Sequence, residues 1–182
     1  RQDVGRGNLR PEETRRTALT APAHTVQDHL NDRTMRHVVL DTNALIQALP
    51  TRSRYHKIWS DFLSGKYCLC VSNEILSEYE EILSVHTSPE VAQNVVNAIA
   101  RHPKTVYRES YFRFHLLSDV DKDDDKFVDC AITAGADYIV TEDNHFDRLK
   151  QIPFPQLNVL TLDEFFEAQQ SGRDECNETL KS

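Results

Sequence analysis

Glycine is scarce in this chain of 182 residues, with five in all, and neither GxGxxG nor GxxxxGK[ST] occurs. A glycine-rich phosphate cradle of the dinucleotide or P-loop kind is thereby excluded. Long apolar runs are missing too: no stretch approaches the roughly 20 residues of a bilayer span, and nothing at the start resembles a signal peptide. The four cysteines are too scattered for a disulfide framework. Cys68 and Cys70 alternate within an apolar run and should face opposite sides of a strand, Cys130 falls in a helix and Cys176 in a polar tail. Free, reduced thiols in a cytoplasmic protein are the expectation. The eight histidines show no zinc-ligand spacing, and His145 reads as a surface residue rather than a general base. Basic residues are outnumbered, 21 Lys+Arg against 29 Asp+Glu, for a net charge of −8. That balance argues against a nucleic-acid partner, unless the acids gather in a cation site whose metal meets the phosphate.

What is present begins at Met35, the only methionine. Residues 1–34 are polar, hold Pro11, Pro22, Gly5 and Gly7, and show no sustained apolar periodicity. They read as an appended leader or a disordered extension. They do not cause the acidity, since they contain six basic and five acidic residues. From there strand and helix signals alternate. His37–Leu40 reads as strand, 43–49 as a short helix ended by Pro50, and 55–63 as an amphipathic helix stopped by Gly65. A strand follows over 67–71. Ser72 is a good N-cap for a helix to about Ser84 with the apolar stripe Ile75, Leu76, Tyr79, Ile82 and Leu83. Ser88-Pro89-Glu90 opens a helix to about Arg101. Residues 106–117 are mixed and include a strand; 124–134 is helical, 138–141 strand, 144–150 a short helix, 157–160 strand and 161–169 helix. The tail 171–182 reads as disordered, leaving 35–170 as one domain. Such alternation predicts an α/β fold: three layers, α/β/α, with a mostly parallel central sheet.

Asp41 closes the apolar run Val38-Val39-Leu40, and Asp143 closes Tyr138-Ile139-Val140-Thr141-Glu142. If both runs are parallel strands of one sheet, both carboxylates emerge at its carboxyl edge, where open α/β sheets place their ligands. Asp125 joins them by chain geometry. A helix of about ten residues rises about 15 Å, and a returning strand of about five covers about 16 Å. Asp125 at the helix start and Asp143 past the strand end therefore lie on one side of the domain, with Gly135 placed to end the helix between them. Each acid also has a plainer reading. The run 121–125 would equally cap a helix and complement its dipole, and Asn43 would equally cap the helix after Asp41. Asp129 shares a helix face with Asp125, as a solvated stripe or a secondary ligand. Glu78 and Glu80 flank opposite sides of the apolar stripe, and periodicity does not choose between them.

Four segments together resemble the PIN-domain family: VVLDTN at 38–43, EILSEY at 74–79, DDDKFVDCA at 123–131 and ADYIVTEDNHF at 136–146. The resemblance extends from Met35 to about Phe166 and is nearest the branch of toxin components of bacterial toxin–antitoxin pairs. It implies that Asp41, Glu78, Asp125 and Asp143 form an acidic metal cluster, with Asn43 and Thr141 as supporting polar groups. One departure is Glu142 in the middle of the Thr-x-Asp step. Grouped carboxylates raise one another's pKa unless a cation intervenes, and Mg²⁺ or Mn²⁺ binds through such oxygen ligands. The implied activity is hydrolysis of phosphodiester bonds in single-stranded or structured RNA, with no covalent enzyme intermediate. Arg52, Arg54, Lys57 and Lys126 are candidates for phosphate contacts. A homodimer and a protein antitoxin are the partners the resemblance implies.

Two other readings compete. A haloacid-dehalogenase-type phosphatase needs a second acid two positions after the first, where this chain has Asn43. A PIN-like module that binds nucleic acid or protein without turnover is the second, and the presence of all four acids argues against it.

Overall fold

The computed structural model describes residues 35–117 and 121–178, with side chains as far as Ser171. The expectations for residues 1–34 lie outside the described residues. The elements in order are β1 (His37–Leu40), α1 (Thr42–Ala48), α2 (His56–Leu63), β2 (Cys68–Val71), α3 (Asn73–His86), α4 (Pro89–Arg101), β3 (Thr105–Tyr107), α5 (Asp125–Ala134), β4 (Tyr138–Val140), a 3₁₀ segment (Asn144–Gln151), β5 (Val159–Leu160) and α6 (Leu162–Glu178). The strands form one sheet of order β3-β2-β1-β4-β5, and every pairing is parallel. This is the three-layer α/β/α architecture that the alternation of signals predicts. The last helix runs past its expected end at Gln169, to Glu178.

Local chemistry explains most boundaries. The Ser72 hydroxyl accepts from the Ile75 amide at 3.3 Å, and Ser88 does the same for Val91 ahead of Pro89 at the first position of α4. Gly135 ends α5 at φ 61°, a left-handed conformation that costs glycine little. Val38, Val39 and Leu40 are fully buried, as are Leu69, Cys70 and Val71 of β2. Continuous burial of this kind is what a central parallel strand covered on both faces requires. Phe62 of α2, Tyr67, Phe165 of α6 and Tyr138 contact one another in that order, edge-on or tilted, with ring centroids 5.9, 5.5 and 6.3 Å apart. Ile75, Tyr79 and Leu83 form the buried stripe of α3, and Leu76 packs at its margin. Cys68, Cys70 and Cys130 are buried and in no disulfide; burial pushes the Cys70 and Cys130 thiols up, the latter to about 12. Among the described residues no helix is long and apolar enough to cross a membrane.

The strand order reverses between β1 and β4. The chain builds outward from β1 to β2 and β3, then crosses back to place β4 on the other side of β1. The Asp41 amide continues the ladder by donating to the Val140 carbonyl at 2.9 Å. A crevice at the carboxyl ends of β1 and β4 is the topological switch point, where ligands of open α/β sheets bind.

Candidate metal centre

Asp41 stands at the head of α1, 5 % exposed. An aspartate there normally spends its carboxylate on capping, but this one makes no capping hydrogen bond. Its Oδ2 accepts from the Thr141 hydroxyl at 2.9 Å. The same hydroxyl oxygen accepts from the Asp143 amide, also at 2.9 Å. Thr141 thus ties the ends of β1 and β4 together. Burial raises the Asp41 pKa, the Thr141 hydrogen bond and the nearby Thr42 and Asn43 amides oppose it, and the Glu78 charge raises it further.

Glu78 is the acid that α3 contributes, which decides what periodicity left open: Glu80 is exposed and turned away. Glu78 Oε1 accepts from the Thr42 hydroxyl at 2.5 Å, and its Oε2 pairs with Lys126. Lys126 therefore sits over the acids as an internal cation rather than reaching outward.

The acidic run before α5 divides its labour in a way the sequence did not reveal. Asp125 is buried at the start of α5: its Oδ1 accepts from the Leu117 amide at 2.9 Å, and its Oδ2 lies 3.6 Å from His115 Nδ1. Asp124 is the residue that feels the charges of Asp41 and Asp143. Like Asp41 it occupies an N-cap position without making the capping hydrogen bond. Its Oδ2 is buried with no hydrogen-bond partner. Burial first, then Asp121, Asp41 and Asp143, push its pKa up to about 7, with Lys126 opposing. A buried carboxylate oxygen left unpaired among like charges is costly; a cation would satisfy it. The donor set, all hard oxygens, suits Mg²⁺ or Mn²⁺.

Asp121 and His145 stand at the rim. Ligand atoms of Asp121, Asp124 and His145 lie within 4.8 Å of one another. His145 Nδ1 is 3.4 Å from Asp143 Oδ1 and 3.8 Å from Asp124 Oδ2. Asp143 also accepts from the His145 amide at 2.8 Å, which caps the 3₁₀ segment. Sequence reasoning passed over Asp121 and Asp124 as site residues; His145 is exposed, as expected, while standing beside the acids.

The remaining candidates are placed as follows. Asn43 is exposed on α1 and lines a cavity of about 450 Å³ together with Ile46, Gln47, His86, Asp143 and Asn144. Asp129 is turned away from the centre, accepting from the Phe114 amide at 3.0 Å and pairing with Arg113. Arg54 pairs with Asp163 at 2.7 Å. Lys57 pairs with the buried Asp61, as does Lys66. Burial alone would raise the Asp61 pKa, but the two lysines hold it below the usual range. Arg52, Arg54 and Lys57 line neither this cavity nor a larger one described below. Lys57→Met is expected to lower stability by about 1 kcal/mol and to leave RNA affinity unchanged, as read by denaturant melts beside a binding titration. Glu142, the departure noted in the sequence, accepts from the Leu162 amide at 2.6 Å and so anchors the start of α6.

A parallel α/β domain with carboxylates from four separate segments converging at its switch point defines the class. Residues 37–145 match the family model described as PIN domain, and the chain belongs to that family. The fold is similar to VapBC2 from Rickettsia felis bound to a DNA fragment from its promoter, at 16 % identity and a TM-score of 0.50, covering 69 % of this chain and 98 % of the other. A DNA-bound VapBC from Salmonella typhimurium is similar at 16 % identity and a TM-score of 0.49, covering 70 % and 99 %. Comparison with curated proteins gives no match.

Proposed function

We propose that the chain is a divalent-metal-dependent endoribonuclease that hydrolyses phosphodiester bonds, the toxin of a toxin–antitoxin pair, acting in the cytoplasm. The observation that carries this reading is the gathering of Asp124, Asp121, Asp41 and Asp143 at one sheet edge, with the Asp124 Oδ2 buried and without a hydrogen bond. Asp41, Asp124 and Asp143 would hold Mg²⁺ or Mn²⁺, with Glu78 and Asp121 directly or through water. Asp125, the residue the family resemblance implies, stays a candidate ligand beside Asp124, since it lines the same groove as Glu78 and Lys126. The ion, when bound, supplies Lewis acidity to the phosphate and lowers the pKa of a water.

The residues of the chain do the positioning. Thr141 orients Asp41 and fixes the Asp143 backbone. Thr42 and Lys126 hold both oxygens of Glu78, so that the carboxylate is fixed before substrate arrives. The Lys126 ammonium offsets negative charge where a phosphate must approach, which keeps it among the substrate-facing groups. Thr141→Val is expected to reduce cleavage roughly 10–100-fold, the usual cost of losing a group that orients a ligand, with little change in melting temperature.

The test is cleavage of labelled single-stranded RNA with Mg²⁺ or Mn²⁺ and in EDTA. Metal-dependent cleavage that disappears in Asp41→Asn supports the enzyme. Intact RNA at all metal concentrations would favour the other reading, a PIN-like module that binds without turnover. A homodimer and a protein antitoxin follow from the same family reading; co-expression with the neighbouring reading frame and size-exclusion chromatography test both.

A further inference from the structure

His145 is exposed, yet one nitrogen of its ring is turned toward the acids. The 3₁₀ segment that carries it is anchored by Phe146 and Leu149, both buried. Asp143 pins the start of that segment, its Oδ1 accepting from the His145 amide at 2.8 Å. The same Oδ1 lies 3.4 Å from the ring's Nδ1. That Nδ1 is also 3.8 Å from Asp124 Oδ2, the buried oxygen that makes no hydrogen bond. One ligand atom each from Asp121, Asp124 and His145 falls within 4.8 Å of the others. Asp147 and Lys150, in the same segment, pair with each other instead, at 2.7 Å.

The separations bear on what the nitrogen does. A charge-assisted hydrogen bond between an imidazolium and a carboxylate closes to about 2.7–2.9 Å, and both distances here are longer. Donors that share one octahedral ion at about 2.1 Å stand about 3 Å apart when adjacent and about 4.2 Å when opposite. Separations of 3.4 and 3.8 Å fall within that range, so the nitrogen and both carboxylates suit a common ion. A second histidine near the acids is placed differently. His115 Nδ1 is 3.6 Å from Asp125 Oδ2, in the wall of a larger cavity of about 980 Å³ that Glu78 and Lys126 also line. Lys126 already supplies a positive charge there through its pair with Glu78.

The oxygen donors by themselves do not choose between Mg²⁺ and Mn²⁺. A nitrogen does. Mg²⁺ takes oxygen ligands and keeps several waters, whereas neutral imidazole is a common ligand of the first-row transition ions. We propose that His145 Nδ1 is a ligand of the ion at the acidic centre and makes the site select a first-row transition ion, such as Mn²⁺, over Mg²⁺. The inference rests on the reading of these acids as a metal centre and narrows the class of ion that it takes.

The experiment follows Mn²⁺ itself, bound to the untagged full chain without RNA at mildly alkaline pH. Electron paramagnetic resonance of free Mn²⁺ gives the affinity, and competition gives the affinity for Mg²⁺. Spin-echo modulation of the bound ion reports a directly bonded nitrogen. The parent is expected to show that modulation and His145→Ala to lose it. The substitution is expected to weaken Mn²⁺ binding by about 10–100-fold, the scale on which groups that shape a metal site act. Mg²⁺ binding should fall by no more than about threefold, because that ion gains little from nitrogen. A histidine that only added positive charge beside the acids predicts the opposite sign, since removing one cation strengthens the binding of another. The exposure of His145 means that melting temperatures in EDTA should match. Bound Mn²⁺ without nitrogen modulation overturns the inference and leaves the metal centre standing, as does an affinity for Mn²⁺ that His145→Ala leaves unchanged or raises. Modulation that persists in His145→Ala assigns the ligand to another histidine and overturns the inference too. A chain that binds no Mn²⁺ removes the metal centre and the inference together.

Discussion

Asp124→Asn is expected to lower metal-dependent RNA cleavage on the order of 10²–10³-fold, the scale of removing one preorganised electrostatic group from a reaction centre. Asp125→Asn, one position along, is expected to cost far less. The reason is direction. Asp124 lies in the field of Asp41 and Asp143 with a buried oxygen that makes no hydrogen bond. Asp125 instead accepts from the Leu117 amide, and the carbonyl oxygen of an asparagine preserves that bond. Asp41→Asn should match Asp124→Asn, because Asp41 provides the corresponding carboxylate from β1. Single-turnover rates at saturating Mn²⁺ separate the two classes. A larger loss in Asp125→Asn than in Asp124→Asn would return the ligand role to Asp125.

The second large effect is on stability, and it has the opposite sign. Asp124 has its folded pKa raised to about 7 against an ordinary value near 3.8. A group raised in this way stabilises the fold while it is protonated. Its contribution is complete below about pH 4 and is lost as pH rises toward 7. Raising the carboxyl from its ordinary value to about 7 corresponds to about 4 kcal/mol as a ceiling, and relaxation of a partly solvated site leaves roughly half of that. In EDTA at pH 7.5 the Asp124→Asn variant is therefore expected to melt above the parent by about 4–8 °C, a gap that closes as pH is lowered to about 4. Millimolar Mg²⁺ should raise the parent more than the variant, since only the parent gains a charged ligand. Calorimetry across that pH range checks the pattern. A variant less stable than the parent in EDTA would mean that the carboxylates do not repel one another. The two predictions belong together: a site that gives up stability to gather like charges is one that a cation is meant to complete.

How far the site was legible in the sequence differs residue by residue. Asp41 and Asp143 could be placed because a parallel strand delivers its last residue to one edge, whatever packs around it. Thr141 follows from its position within the same strand end. The choice between Glu78 and Glu80 was not available locally, since both border the apolar stripe of α3. It was decided by how that helix lies against α1, which brings Glu78 to the Thr42 hydroxyl. Asp124 and Asp125 are chemically identical neighbours, and a one-residue rotation about a helix axis of about 100° sends them to different partners. Only the path of the 113–117 segment, which supplies the Leu117 amide, decides what the first oxygen of Asp125 accepts from. The basic residues were the least legible. Lys57 and Arg54 look free in the sequence, but a buried Asp61 and an exposed Asp163 engage them.

The sequence by itself determined the fold class, the five strands and the edge at which chemistry collects, because apolar periodicity and capping residues act over a few positions of chain. The tertiary structure decided which acid of each pair turns inward, which lysine becomes an internal counter-ion and which histidine stands beside the acids. Those choices depend on partners brought in from elsewhere in the chain, as with Glu78 and the Thr42 hydroxyl or Lys126 and Glu78. No local pattern encodes the direction from which such a partner arrives.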